Sequence, residues 1–207
     1  MKQETLFPNW SLDYKANDYV IDYFKKKKMP YNEDSMIECL KNQRNKHELY
    51  WAILALRQVG TIKSIEYLKN VVTYRNFDVQ GTSVLNIGKF ANGAENEFLG
   101  QLLLNKDFRA KWYAMAAIGL KQNDKAVPYV LEYALKTIKS PKKRDEKLTL
   151  GQTETDDLMV EYLARFAPEN EQSKKIFARI NKNFENLPAL IQEVYAKEFP
   201  NIFTLVQ

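Results

Sequence analysis

Glycine, proline, cysteine and histidine are all scarce in this chain of 207 residues, which contains seven glycines, seven prolines, one cysteine and one histidine. Few glycines and prolines disfavour a β-sandwich, whose many tight turns need both residue types, and favour long helices joined by short connections. A single cysteine excludes an intrachain disulfide. One cysteine and one histidine also leave almost no material for a metal site or a Cys/His catalytic pair. We therefore expect no metal and no other cofactor, and a non-catalytic function is favoured.

Long apolar runs and a large charge excess are also missing. The longest apolar runs are a handful of residues, far short of the roughly 20 that a membrane-spanning helix needs. The first ten residues lack the apolar stretch of a signal peptide, so we expect a cytoplasmic protein with no membrane association. The 31 Lys and Arg residues exceed the 26 Asp and Glu residues by five, and the pI is about 9.0. That excess does not settle whether nucleic acid is bound.

The main pattern in the sequence is a 31-residue repeat. Three copies align without a gap: 44–74, 75–105 and 106–136. The second position of each copy is suited to cap a helix N-terminus: Asn45, Asn76 and Asp107. Two apolar stripes at helical spacing follow in each copy, separated by a polar or glycine-containing break. Each copy is therefore predicted to be a helix pair that buries its apolar face against neighbouring copies.

This pattern predicts an all-α fold, a right-handed α-α superhelix (solenoid) of about 31-residue helix pairs with degenerate capping units. We expect a single domain. Its predicted parts are N-terminal cap helices in 1–43, three clear repeats in 44–136, a basic loop insertion in 137–153, and a degenerate repeat with a C-terminal cap in 154–207. Within these parts, helices are expected over 12–28, 32–43 and 187–198. A capping box from Thr153 to Asp156 is predicted to begin the degenerate repeat.

The segment Lys-Asp-Phe-Arg-Ala-Lys-Trp-Tyr-Ala-Met-Ala-Ala-Ile-Gly, residues 106–119, resembles the HEAT-like repeats of the phycobilisome-lyase type. The second copy keeps Asn76, Ile87 and Gly88 of that pattern but has Asn86 where an alanine is usual. The resemblance covers 44–136 well and 154–184 weakly. It implies a solenoid that serves as a binding scaffold, as a chromophore-lyase component or, in a divergent branch, as an alkyl-base DNA glycosylase.

Second helices line the concave groove in this family's architecture, so the resemblance makes their repeated side chains the candidates for binding. One column holds aromatic rings: Tyr67, Phe98 and Tyr129. Another holds polar side chains: Asn70, Gln101 and Glu132. We expect the rings to anchor a partner and the polar groups to form hydrogen bonds with it. The sequence therefore favours a non-catalytic protein- or peptide-binding scaffold that uses the concave groove, with its oligomeric state left open.

The alternative is a nucleic-acid-binding protein, possibly a remote relative of the glycosylase branch. The 137–153 loop is rich in basic residues, and Lys142, Lys143 and Arg144 are its candidates for binding phosphates. A solvated loop that binds nothing has the same composition, so both interpretations stay open.

Aromatic pairs recur in the first and third copies. Tyr50-Trp51 and Trp112-Tyr113 occupy equivalent positions, where the glycosylase branch uses aromatic rings beside an aspartate to hold an alkylated base. No aspartate recurs beside these pairs, so packing between neighbouring first helices is the simpler interpretation. Cys39 is expected to be a buried, unreactive thiol, and His47 a solvated helix residue.

Overall fold

The computed structural model describes residues 4–8, 18–42, 45–141, 143 and 153–203, and within these ranges it contains helices and no strands. The prediction of an all-α fold is confirmed for this part of the chain. Its α-helices are α1 (Asp18–Lys26), α2 (Glu33–Lys41), α3 (Lys46–Val59), α4 (Ile65–Val71), α5 (Phe77–Ala91), α6 (Asn96–Leu104), α7 (Lys111–Leu120), α8 (Val127–Thr137), α9 (Thr155–Phe166), α10 (Glu171–Asn181) and α11 (Ala189–Glu198).

The chain divides into two compact units. Residues 10–122 form one unit, which contains α1 to α7, and residues 1–9 together with 123–207 form the other, which contains α8 to α11. The boundary falls inside the third aligned copy, between its first and second helices. For brevity, these are called the α1–α7 unit and the α8–α11 unit.

The starts of five of the eleven α-helices in the described residues follow the 31-residue spacing of the sequence. Helices α4, α6 and α8 begin at residues 65, 96 and 127, and α3 and α5 begin at 46 and 77. The predicted caps of α3 and α5 are confirmed. Asn45 Oδ1 accepts the backbone N–H groups of His47 and Glu48 at 3.0 and 3.3 Å, and Asn76 Oδ1 accepts that of Val79 at 3.0 Å. Both amides satisfy donors that the first helical turn leaves unpaired.

The predicted cap at Asp107 is wrong, because α7 begins only at Lys111. The buried side chain of Gln80 reaches across from α5 instead. Its Nε2 donates to the Asp107 carbonyl at 3.1 Å, and its Oε1 accepts the Arg109 N–H at 2.9 Å. These two bonds occupy the backbone groups that a helical turn would use, so residues 106–110 stay non-helical.

Helix α5 is the central helix of the α1–α7 unit. Every residue from Val79 to Gly88 is buried, and the helix packs against α3, α4 and α7. Its approach to α7 depends on two glycines. A Cβ added at Gly88 would lie 2.8 Å from the Ala117 carbonyl oxygen, and one added at Gly81 would lie 2.8 Å from the Tyr113 ring. Side chains at either glycine would force the two helices apart.

The α8–α11 unit holds the N-terminal segment 4–8 against α9. Leu6 and Phe7 are buried, and the fully buried Glu161 carboxylate accepts the Thr5 hydroxyl at 2.5 Å and the Leu6 N–H at 2.6 Å. Arg165, one turn later on α9, donates to the same carboxylate at 3.0 Å. Burial raises the pKa of Glu161, whereas these hydrogen bonds act to lower it.

The ends of α9 and α11 differ slightly from the predicted ones. The capping box is shifted by one residue from the prediction, because the Glu154 N–H donates to Asp157 at 2.9 Å. Helix α11 begins at Ala189, directly after Pro188, and ends at Glu198, close to the predicted range of 187–198. Phe203 follows it and stacks on Tyr195 of α11, with ring centroids 4.5 Å apart.

Candidate functional site: a basic groove at the start of α5

The predicted second-helix candidates share a pattern of exposure. The rings of Tyr67, Phe98 and Tyr129 are half-buried, whereas Asn70, Gln101 and Glu132 are exposed. They do not all fall in one unit. The first two copies place theirs in the α1–α7 unit, and Tyr129 and Glu132 belong to the α8–α11 unit.

Lysines of the same unit cover two of these rings. Lys41 Nζ lies 5.3 Å from the centroid of Tyr67, and Lys69 Nζ lies 5.2 Å from that of Phe98, as in cation–π pairs. Lys69 is further held by Glu66 and Glu95, each at 3.0 Å. The second-helix rings of the α1–α7 unit are therefore engaged within the chain.

A larger open surface lies at the N-terminal end of α5. It is a groove of about 660 Å³, here called the basic groove, lined by Thr73, Arg75, Asn76, Phe77, Gln80, Lys106, Asp107 and Arg109. A neighbouring depression of about 510 Å³ shares Thr73, Arg75 and Asn76 with it and adds Lys46, Asn70 and Tyr74. Asn70 is thus the one predicted second-helix residue that the structure brings to this surface.

The wall of the basic groove is fixed from both ends. Gln80, only 2% exposed, holds Asp107 and Arg109 by the hydrogen bonds described above. Lys111 Nζ donates to the carbonyls of Leu102 and Asn105, each at 2.7 Å, and so secures the chain where it leaves α6. Burial lowers the pKa of Lys111 to about 8. The 106–110 segment is therefore positioned by contacts made from α5 and α7.

The charge of the groove is mainly positive, and its cations have no ion-pair partner among the residues that the structure describes. Arg75, Lys106, Arg109 and nearby Lys46 are exposed, and none of them forms an ion pair with a carboxylate of the described residues. Asp107 is the single carboxylate among the lining residues. The N-terminus of α5, a helix of 15 residues, adds a partial positive charge at the same place.

Phe77 supplies an apolar contact in the middle of this charge. Its ring is 50% exposed, although it is the first residue of α5. The ring of Tyr113 on α7 meets it edge to face, with centroids 5.6 Å apart. The Phe77 ring thus packs on one side against Tyr113 while half of its surface stays exposed to a ligand.

The aromatic pairs of the first and third copies are explained by packing. Tyr113 fills the space that Gly81 leaves on α5, and Trp51 contacts Tyr23 of α1 with ring centroids 4.8 Å apart. This agrees with the packing interpretation. Of the phosphate candidates in the 137–153 loop, Lys143 is exposed, and Lys142 and Arg144 lie outside the described residues.

Two cations of the basic groove could have been found from one signal in the repeat. The first position of every aligned copy is basic: Arg44, Arg75 and Lys106. Arg44 lies outside the described residues, but Arg75 and Lys106 both line the groove. Arg109 and Phe77 carry no such signal, because their neighbourhood depends on the long-range contact of Gln80.

Outside the basic groove, the described residues include a cysteine thiol, possible metal ligands and apolar helices. Cys39 is buried as predicted, and burial raises the pKa of its thiol to about 11. No group of three His, Cys, Asp or Glu side chains converges on a possible metal position in the part of the chain that the structure describes. Among the same residues, no helix combines the length and the apolar character needed to cross a membrane.

Comparison with known proteins gives no information on the function of this chain. Family models, curated proteins and solved structures all give no match to this chain. Its function is therefore inferred from the groove and from the repeat.

Proposed function

We propose that this chain is a non-catalytic binding protein, built as a right-handed solenoid of HEAT-like helix pairs, that holds a segment of a protein partner in the basic groove. The observation that carries the proposal is the pre-positioned groove wall, in which buried Gln80 and partly buried Lys111 hold an exposed loop beside exposed Phe77. Side chains that are already ordered lose little entropy when a partner binds. A volume of about 660 Å³ suits a short segment of chain rather than a flat protein face.

The 31-residue spacing of helix starts supports the solenoid part of the proposal. Stacked helix pairs present the start of each first helix along one edge, so a cation at the first position of each copy would recur along that edge. The partner would therefore contact helix starts as well as, or in place of, the second-helix residues of the concave groove. Asn70 is common to both surfaces.

A site-specific photocrosslinking experiment tests this function. Benzoylphenylalanine replaces Phe77 in one variant and Ile62, an apolar residue that is 71% exposed outside the groove, in the matched control. After irradiation in cells of the source organism, we expect protein adducts at position 77 in clear excess over those at position 62. Equal yields at the two positions would refute a protein-binding groove.

The second candidate function is nucleic-acid binding, favoured by the four exposed cations without an ion-pair partner among the described residues and by the exposed ring beside them. Cations bind phosphates, and an aromatic face can stack on a base. The same crosslinking experiment distinguishes this candidate, because nuclease would shorten nucleic-acid adducts at position 77 and would leave protein adducts unchanged in size.

A further inference from the structure

The basic groove also carries information about the chemistry of its ligand, beyond the fact of binding. Three of its lining residues are cations and one is an acid, so a ligand with negative charge is favoured by charge complementarity. The groove's other exposed groups are a hydroxyl, an amide and one aromatic ring. A ligand that satisfies all of them combines carboxylates, hydrogen-bond donors and at least one apolar side chain.

We propose that the basic groove binds an acidic peptide segment, with two carboxylates on Arg75 and Arg109 and one apolar side chain on the face of Phe77. This inference rests on the proposed function, because it names the ligand class of the same site. Arginine guanidinium groups can each bind a carboxylate with two parallel hydrogen bonds, which fixes orientation as well as charge.

The position of Asp107 favours a peptide over a nucleic acid. Its exposed carboxylate lines the groove together with Lys106 and Arg109. A phosphodiester backbone presents phosphate oxygens to this carboxylate and has no N–H group to donate. A peptide can instead place a backbone N–H there, because peptides alternate donors with acceptors. The Thr73 hydroxyl, which also lines the groove, is a further acceptor for a peptide N–H group.

Gln80 links this ligand preference to the fold. Since Gln80 Oε1 accepts the Arg109 N–H, the backbone position of Arg109 is set by α5, the same helix whose first residue is Phe77. A hydrogen bond to α5 therefore holds the backbone of Arg109 at a set position relative to the start of that helix. This arrangement favours a ligand whose carboxylate and apolar side chain are spaced to reach Arg109 and Phe77 together.

Fluorescence anisotropy on the full-length protein tests the inference. The probe is a fluorescein-labelled heptapeptide, Asp-Glu-Asp-Phe-Glu-Asp-Glu, and the comparison ligands are its lysine-substituted counterpart and a labelled single-stranded DNA of random sequence. We expect the acidic peptide to bind at least about tenfold more tightly than the lysine peptide and than the DNA at about 150 mM salt. Preferred binding of the DNA would overturn the inference in favour of nucleic acid, and absence of peptide binding would overturn it outright.

Charge-reversal variants show where on the protein the acidic peptide binds. Arg75→Glu and Arg109→Glu should each weaken binding of the acidic peptide by about tenfold, whereas Lys26→Glu, an exposed cation on α1 of the same unit, should change it less than about twofold. Equal losses in all three variants would refute the groove as the site, since only the overall charge would then matter. Circular dichroism of each variant verifies that the fold is intact.

The failure of this inference is distinguishable from the failure of the proposed function. If proteins crosslink at position 77 but the acidic peptide does not bind, the groove has a protein partner of other chemistry and only the ligand class is wrong. If position 77 gives no excess of protein adducts over position 62, the proposed function itself is wrong.

Discussion

Gln80 and Arg109, which are 29 residues apart in the sequence, are joined by a hydrogen bond of 2.9 Å from the Arg109 N–H to the Gln80 side-chain oxygen. The other end of the same amide donates to the Asp107 carbonyl at 3.1 Å. One buried side chain thus satisfies two backbone groups of a non-helical segment and delays the start of α7 to Lys111. The candidate site depends on this contact, because it positions the segment that carries two of the groove's cations.

Substitution of Gln80 by leucine should destabilise the protein by about 1–3 kcal/mol, since it leaves the Asp107 carbonyl and the Arg109 N–H without partners. Urea unfolding followed by circular dichroism measures this loss. The same substitution at Gln101, which is exposed on α6, serves as the control and should cost no more than about 0.5 kcal/mol. Equal costs at the two positions would contradict the structural role of Gln80.

Substitution of Gly88 by alanine should destabilise the protein, although alanine is the better helix former by about 1 kcal/mol. The added Cβ would lie 2.8 Å from the Ala117 carbonyl oxygen and 2.9 Å from the Ala117 Cβ, so α5 and α7 must move apart. We expect a net loss of about 1–3 kcal/mol in thermal or urea unfolding. A stabilised variant would show that α5 and α7 do not approach each other this closely.

The contribution of Lys111 to the free energy of unfolding should rise between about pH 8 and pH 10. Burial lowers the pKa of Lys111 to about 8 in the folded state, whereas an unfolded lysine titrates near 10.4. At Lys111 the unfolded chain therefore binds more protons than the folded one in this interval. The contribution of this residue to the free energy of unfolding thus increases as pH rises. Because Lys111 is partly exposed, the gain should be about 1 kcal/mol or less.

Urea unfolding gives the free energy of unfolding of wild type and of Lys111→Met at several pH values. The gain is the change with pH in the difference between these two free energies. Lys125→Met, which replaces an exposed lysine of the α8–α11 unit, is the control. Its free energy of unfolding should change with pH in parallel with that of wild type. Parallel curves for wild type and Lys111→Met between pH 8 and pH 10 would contradict the lowered pKa.

Substitution of Glu161 by glutamine should release the N-terminal segment from α9. A glutamine side chain has one acceptor oxygen where the carboxylate has two, and its amide nitrogen cannot accept the Leu6 N–H. We expect hydrogen exchange at the Leu6 amide to accelerate by at least about tenfold and the protein to lose about 1–3 kcal/mol of stability. Glu193→Gln, on the exposed side of α11, should change neither quantity. Unchanged protection of Leu6 in Glu161→Gln would show that other contacts hold the segment.

Local sequence patterns predicted the helices well, because helix starts depend on nearby residues. Asn45 and Asn76 cap the helices that directly follow them, and the apolar stripes give α4, α6 and α8 their 31-residue spacing. The failure at Asp107 has a different origin, since a side chain from the preceding first helix competes for its backbone. No local pattern around Asp107 contains that information.

The candidate site was less predictable, because it too depends on contacts between residues far apart in the sequence. Arg75 and Arg109 line one groove although 33 residues separate them, and the half-exposed ring of Phe77 is an unusual outcome for an apolar helix residue. The family resemblance assigned the binding role to recurring second-helix rings such as Tyr67. Recurrence along the sequence does not show which side chains neighbouring lysines cover. The basic first position of each copy was the one signal in the sequence that pointed toward the groove.

Hydrogen exchange of the full-length protein, with and without the saturating acidic heptapeptide, tests the central claim most directly. The account predicts new protection of backbone amides in residues 73–80 and 106–110, the two segments that form the basic groove, with no change in residues 171–181 of α10. Protection confined to the second helices, residues 65–71 and 96–104, would contradict the account and return the binding site to the concave groove that the family resemblance implies.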